Sequence, residues 1–404
     1  MPRPTPFHAR TSALNQGNHW EEWAGFESAT QFELSFDHEY HAVRNGCGMF
    51  DVSPLYKYDV RGPDAHALLN RVVVRDLSKA RIGQVFYTVW CDDRGKVVDD
   101  GTIMRLGEEH FRMTAAIPTL YWLEDNATGM DVEIEDTSES IAAVALQGPT
   151  SRDLIQRLTT TNLDGLRFFR CTDAEIAGFP VVISRAGFTG DLGFEIFTKS
   201  KNALALWDAL MEIGPDYQMR PAGAIALDVA RVEAGLILID LDFVSSTQTL
   251  YEVQKTSPYE LGLGWMVKLD QSYFVGRDAL REEKKRGTTR VTVGLELDVK
   301  AIERCYAEFD MPLHVPHEPW KTFYPIYSDA ARRNFIGRGS SGVWSSTLKK
   351  YVVIARVEAK YEKLGTVIYF EESIEAKSFA IPATVVRMPF FDPPRKKAII
   401  GGSK

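Results

Sequence analysis

The chain has 404 residues, 47 basic and 55 acidic, giving a formal net charge of −8, with 45% hydrophobic, 11% aromatic and 25% charged residues. This is globular composition with room for two to three domains at about 150 residues each, and it excludes disorder, collagen-like repeats and coiled coil. An acidic balance without a basic tract speaks against a nucleic-acid partner, because phosphate neutralisation needs clustered Lys and Arg. Cys47, Cys91, Cys171 and Cys305 are scattered without disulfide or zinc spacing, which suits a reducing compartment. The start, MPRPTPFHARTS, has no apolar core, and no later stretch approaches about 18 apolar residues. A soluble, cytoplasmic protein with no membrane contact is expected.

Along the chain, the first signal is a weak internal repeat. Arg61-Gly62-Pro63-Asp64-Ala65-His66-Ala67-Leu68-Leu69-Asn70-Arg71-Val72 can be laid over Gln147-Gly148-Pro149-Thr150-Ser151-Arg152-Asp153-Leu154-Ile155-Gln156-Arg157-Leu158. Each copy follows a β-rich stretch and opens a helix at Gly-Pro, where proline's missing N–H costs nothing. Apolar residues then recur at helical spacing. A hairpin pattern follows each helix: 84–100 with its turn at Gly95, and 181–196 with its turn at Gly190. In both, an acid lies five residues past the turn glycine, Asp100 and Glu195. If the halves are related by a pseudo-twofold, the two acids are equivalent and converge on one central pocket.

Helices are expected over 202–214 and 224–234, the latter stopped by Gly235. The charged run Glu282-Glu283-Lys284-Lys285-Arg286-Gly287 reads as a helix end and linker, and β patterns at 291–297, 351–357 and 366–370 suggest a separate C-terminal β-barrel. The expected organisation is an α+β domain over 1–285, in two related halves of about 50–140 and 141–240, followed by a barrel over 286–404.

Gly337-Arg338-Gly339-Ser340-Ser341-Gly342 matches GxGxxG, but Val343-Trp344-Ser345 is poor helix and the surroundings look antiparallel, so it reads as a loop and not a dinucleotide site. His38 and His41 lie three apart on a probable helix without a third ligand, and His314 and His317 sit in a proline-bearing loop, so no metal site is expected. Asp99-Asp100-Gly101 is sharper. Adjacent strand residues face opposite ways, so only one of the two carboxylates can line a given pocket. The bland alternative is a turn or bulge, Asp-Gly being a common turn dipeptide. Leu55, Tyr56, Tyr58, Phe86, Tyr87, Trp90, Phe188 and Trp265 could wall a flat heterocycle, although most of such a set is ordinarily core. An acid among aromatics is what a pterin or purine needs: π-surface for stacking and a carboxylate for ring N–H groups.

These stretches resemble the tetrahydrofolate-dependent aminomethyltransferase family, which includes the T-protein of the glycine cleavage system and folate-dependent demethylases. The resemblance runs through Thr5-Pro6-Phe7, His41-Ala42-Val43-Arg44, Gly48-Met49-Phe50-Asp51-Val52-Ser53, Gly95-Lys96-Val97-Val98-Asp99-Asp100, Leu146-Gln147-Gly148-Pro149, Gly187-Phe188-Thr189-Gly190-Asp191-Leu192-Gly193-Phe194-Glu195-Ile196, Arg231-Val232-Glu233-Ala234-Gly235-Leu236, Gly262-Leu263-Gly264-Trp265 and Ser340-Ser341-Gly342-Val343-Trp344. It implies a pseudo-duplicated folate-binding unit plus a β-barrel, arranged as a ring or cloverleaf around a central channel. It further implies that Asp100 matches the family's key aspartate beside the reactive N5 and N10 region of tetrahydrofolate, and Glu195 the acid that binds the pterin. Leu55, Val85, Tyr87 and Met113 fall where the family has folate-contacting or wall residues, and Phe188 and Trp265 are candidate cofactor contacts.

The departures bear on the donor. The usual Ser-His-Met is Ser53-Pro54-Leu55, the usual Ala-Arg-Asp is Ala226-Leu227-Asp228, and extra residues lie after Phe243 and around 301–328. They favour a demethylase that moves a methyl group from a small N-, O- or S-methylated compound to N5 of tetrahydrofolate. The alternatives are a true aminomethyltransferase served by a lipoyl carrier protein, and a folate-binding module without transfer chemistry.

Overall fold

In the computed structural model, which describes residues 2–399, the chain opens with a small sheet of β1 (Arg3–Pro4), β2 (Trp20–Trp23) and β3 (Phe26–Ala29), with α1 (His8–Leu14) inside it and α2 (Asp37–Asn45) after it. Strand β4 (Cys47–Asp51) leads into the first repeat copy: β5 (Tyr56–Arg61), α3 (Ala65–Val72), β6 (Val85–Cys91), β7 (Val97–Arg105) and β8 (His110–Ala115), extended by α4 (Leu120–Asn126) and β9 (Glu133–Asp136). The second copy is β10 (Ile141–Gln147), α5 (Ser151–Leu158), β11 (Cys171–Ile176), β12 (Phe179–Ser184) and β13 (Gly193–Lys199), extended by α6 (Ala203–Ile213), β14 (Met219–Pro221) and α7 (Ala224–Glu233). The sheets run β6-β7-β8-β5-β9 and β11-β12-β13-β10-β4-β14. Both copies therefore share one β-α-β-β-β topology, with the first strand placed beside the fourth.

That topology corrects the pairing of the two acids. Asp100 lies on β7, the third strand of its unit, and Glu195 on β13, the fourth. Laying Gln147 over Arg61 puts Ala145 over Asp59. Ala145 pairs with Glu195 and Asp59 with Arg112, so the first-half counterpart of Glu195 is Arg112. The five-residue spacing from a turn glycine recurs at two successive hairpins of the unit and does not mark equivalence.

After α8 (Arg277–Arg286) come β15 (Arg290–Leu297), α9 (Val299–Ala307), β16 (Tyr324–Tyr327), β17 (Phe335–Ser345), β18 (Lys350–Glu358), β19 (Val367–Ile374) and β20 (Lys377–Val386). These strands close a barrel in the order β15-β18-β17-β16-β19-β20. Alternation sends Val353, Ala355 and Val357 of β18 into the barrel core, while Val352 and Ile354 face outward into a different core. The GxGxxG segment is not a loop, as its sequence suggests, but part of β17, paired antiparallel to β18 with a register shift between Gly339 and Ser341. No helix of the described residues is long and apolar enough to cross a membrane.

Each half has its own core, and the barrel interior is a third. A fourth lies where all three lobes meet, built from Val85 and Met104, Ala143, Ala145 and Phe197, the α7 residues Ala226, Val229 and Ala230, and Val343, Val352 and Ile354 of the barrel. Two buried charge clusters on α7 fasten this junction. Arg231 reaches Asp228 (2.5 Å), Asp242 (2.6 Å) and the Ser341 hydroxyl (2.8 Å). Glu233 accepts from Arg44 (2.6 Å) and from the hydroxyls of Tyr40 and Ser345. Arg44 also faces Asp191, which Arg395 from the returning C-terminal segment meets at 2.6 Å. Removing one partner of a buried ion pair strands the other charge. Glu233→Ala is therefore expected to lower unfolding free energy by about 3–5 kcal/mol, read from the urea midpoint; a loss below about 1 kcal/mol would show that the cluster is not a fastening.

Candidate active site

The two sheets meet edge to edge at the starts of β6 and β11. Val85 N–H donates to the Phe169 carbonyl (3.0 Å) and Cys171 N–H to the Gly83 carbonyl (2.8 Å). Val85 and Met104 pack here against Cys171, Ala143, Ala145 and Phe197. Strand alternation then dictates what else lines the wedge. On the first sheet the Val85 and Met104 face continues through the pairs Tyr87–Thr102 and Val89–Asp100. On the second sheet one cross-strand row reads Cys171, Ser184, Glu195, Ala145, Phe50. Asp100 and Glu195 thus face the space between the sheets, and neither lies on an outer surface.

Asp99 and Asp100 divide as adjacent strand residues must. Asp99 is fully buried on the opposite face, accepting the backbone N–H groups of Asp100 (2.8 Å), Ala116 (2.9 Å) and Ile117 (3.0 Å), and so ties β7 to the end of β8. Asp100-Gly101 is mid-strand, not a turn. A Cβ on Gly101 would stand 1.9 Å from the Thr114 carbonyl oxygen, so glycine lets β8 approach beside the acid. A similar need appears across the wedge, where Cβ atoms on Gly187 and Gly193 would overlap the buried Gln147 side chain. Gln147 accepts from the Thr189 hydroxyl (2.8 Å) and holds the turn before Glu195 in shape.

Among the described residues neither acid has a cationic partner. Both keep partial solvent contact. Burial pushes Asp100 up to about 6, opposed by hydrogen bonding from the Tyr87 hydroxyl and a backbone N–H. Burial alone pushes Glu195 up to about 7. Burial and the neighbouring Asp100 carboxylate raise Tyr87 well above the ordinary phenol range. Directly opposite Glu195, the fully buried Ser184 hydroxyl has no hydrogen-bond partner among the described residues. Two acids without counter-ions and an orphaned hydroxyl, set among apolar walls, fit a flat heterocycle rich in N–H donors.

The remaining sequence candidates fall unevenly. Leu55 is half-buried and packs at the junction core, its carbonyl taking the Lys57 ammonium (2.6 Å). Lys57, missed in the sequence, is fully buried, also donates to the Ser53 carbonyl (2.7 Å), and is pushed down to about 7 by burial. Met113 is a correction. It pairs with Ile103, whose side chain faces away from Met104 and Asp100, so it lies in the first half's own core. Thr114, one residue on, shares the face of Asp100 and bonds Thr102 (2.8 Å). Counting by twos from Asp100 finds Thr102, but Thr114 and Ser184 need the cross-strand register. Phe188 is half-buried on the β12–β13 turn. Trp265 is 58% exposed, its ring 5.4 Å from the Arg75 guanidinium, which in turn donates to the Tyr87 carbonyl (2.9 Å). Trp265 therefore stands at the surface, linked through Arg75 to the backbone of β6. His38 and His41 lie exposed on α2, and among the described residues no group of three or more His, Cys, Asp or Glu is placed to hold a metal ion.

Comparison with known proteins adds to this geometry. The model of the GCVT N-terminal domain matches residues 8–271, and that of the glycine cleavage T-protein C-terminal barrel domain matches residues 310–392. The chain is similar to the aminomethyltransferase of Thermoanaerobacter sp. (strain X514), 35% identical over 381 residues that cover 93% of this chain and 94% of the relative. It is likewise 32% identical to the aminomethyltransferase of Bacillus cytotoxicus, over 92% of this chain and 93% of the relative. The fold is shared with the crystal structure of glycine cleavage system aminomethyltransferase T from Bartonella henselae, with a TM-score of 0.81 at 24% identity, covering 97% of this chain and 99% of that one.

The raised carboxyls carry a stability signature. An acid whose folded value lies above its unfolded value costs stability as pH rises from about 4 through that folded value. Asp100→Asn and Glu195→Gln are each expected to raise the urea midpoint at pH 8 relative to the parent, with the gap closing toward pH 4. A gap independent of pH would show that the two carboxyls titrate normally.

Proposed function

The chain belongs to the glycine cleavage T-protein family and is a transferase enzyme of that family; from that premise we propose that it transfers a one-carbon unit from an aminomethyl-type donor to tetrahydrofolate. The observation that carries this reading is Asp100, an acid with no counter-ion among the described residues, raised toward neutrality, hydrogen-bonded by the Tyr87 hydroxyl and facing the same wedge as Glu195. The relatives' shared name, aminomethyltransferase, supports a donor carbon bound to nitrogen.

Bound tetrahydrofolate would supply the N5 and N10 nitrogens that accept the one-carbon unit. Glu195 and the Ser184 hydroxyl would hold the pterin edge, the carboxylate accepting ring N–H groups, while Leu55, Val85, Met104 and Phe188 wall the ring. Asp100 would stabilise positive charge developing at the reacting nitrogen and exchange a proton there, work suited to a carboxyl near 6. Tyr87 would set the carboxylate's orientation, and packing of the three lobes would exclude water. Four cysteines without disulfides suit a reducing compartment, and we place the reaction in the cytoplasm.

A second reading, methyl transfer from a small methylated compound, is favoured by Leu227 and by Pro54-Leu55. Leu227 packs into the junction core where the family pattern has an arginine, which removes a cation from the site. Mass spectrometry of the folate product separates the two. A lipoyl carrier protein loaded with an aminomethyl group is expected to yield 5,10-methylenetetrahydrofolate; 5-methyltetrahydrofolate formed only from methylated amines, betaines, thioethers or methoxy-aromatics would establish the demethylase instead. Folate bound without turnover of any donor would leave a binding module. Asp100→Asn is expected to lower turnover by about 10²–10⁴-fold while folate still binds; near-normal turnover would remove Asp100 from the chemistry.

A further inference from the structure

The outer face of β18 carries an arginine that no acid among the described residues neutralises. Val352 and Ile354 on that face enter the junction core shared with Val85 and Met104, and Arg356 follows on the same face, about 7 Å further along. It is only 5% exposed, its Nη1 has no hydrogen-bond partner, and its cross-strand neighbour on β17 is another arginine, Arg338. On the other side it pairs with Thr292, two residues from Arg290.

Among the described residues, no acid stands within ion-pairing distance of Arg338 or Arg356; Arg338 lies over the Phe323 ring at 4.1 Å. The nearby acids are already engaged. Glu260 lies 3.6 Å from Arg290 and 3.5 Å from Lys96, while Asp242 is bound to Arg231, Ser340 and Ser341. Burial, then the charges of Arg338 and Arg290, push Arg356 down to about 10. Like charges directly opposite on paired strands are destabilising, and a buried unpaired guanidinium more so. In a chain of net charge −8, this local excess of positive charge is an anion site by construction.

We propose that Arg356, Arg338 and Arg290 bind a carboxylate-bearing arm of a ligand at the seam between the barrel and the segment carrying Glu260. Guanidinium groups match carboxylates with paired N–H donors. Two sources offer that chemistry: the glutamyl tail of a folate, or a carboxylate on the one-carbon donor. The inference rests on the one-carbon reading for the identity of the ligand, not for the existence of the site.

The test is calorimetric titration of the full chain, and of Arg356→Met and Arg338→Met, with pteroate, pteroyltriglutamate, γ-glutamylglutamate and N-methylglycine. If the tail is the source, pteroyltriglutamate binds the parent about tenfold or more tighter than pteroate. Each variant then loses that ratio, keeps its affinity for pteroate, and melts at a higher temperature without ligand. If the donor is the source, the two pteroyl probes bind alike and the variants weaken N-methylglycine about tenfold. Either pattern supports the site. Variants that bind every probe as the parent does would overturn it. Failure of pteroate to bind the parent would count against the folate reading alone, since the two probes without a pterin still report on the arginines. Arg338, only half-buried, provides the variant to rely on should Arg356→Met not fold.

Discussion

Everything about the wedge depends on how α7 is held, and α7 is held by two charges that have no access to water. Arg231 and Glu233 are two positions apart, so they leave the helix in different directions and cannot share a partner. One gathers the segment behind the helix and the serines of β17; the other gathers α2, the end of β17 and, through Arg44 and Asp191, the returning C-terminal segment. Hydrophobic contact alone would leave the lobes free to slide. Desolvated ion pairs do not tolerate sliding, because a small displacement exposes an unmatched charge to a medium of low dielectric.

Against this background the unneutralised groups stand out. Most other deeply buried charges are met by a partner: Arg112 is bonded to Asp59 at 2.7 Å, Arg44 and Arg231 each meet two acids, and Lys57, Asp99, Glu39 and Arg185 are bonded to backbone groups. Among the described residues Asp100 and Glu195 are left without cations, and Arg338 and Arg356 without anions. Groups buried with neither a counter-charge nor a full set of backbone partners cost stability that a ligand can offset.

Much of the architecture was legible in the chain because local signals report topology. Gly-Pro at a helix start, hairpins with glycine turns and the alternating C-terminal strands led to a duplicated α+β unit and a barrel. What failed did so at the level of register. Gly95 to Asp100 and Gly190 to Glu195 look alike as strings but belong to different hairpins of the unit. Met113 was one residue out, and in a strand one residue is the other face. The GxGxxG string resembled a loop because glycine and serine dominate it, whereas tertiary pairing with β18 makes it strand. Ser184, Lys57 and the Arg338–Arg356 pair had no signal in the sequence, since each matters only through what lies across from it.

The clusters on α7 bear on how the molecule melts. Chains of this length with a separable barrel commonly lose their lobes one at a time. Here, detaching the barrel would strip Arg231 of Ser341 and Glu233 of Ser345, and would uncover the core shared by all three lobes. Partial denaturation thus forfeits the interactions that support the rest, and the lobes are bound into a single cooperative unit.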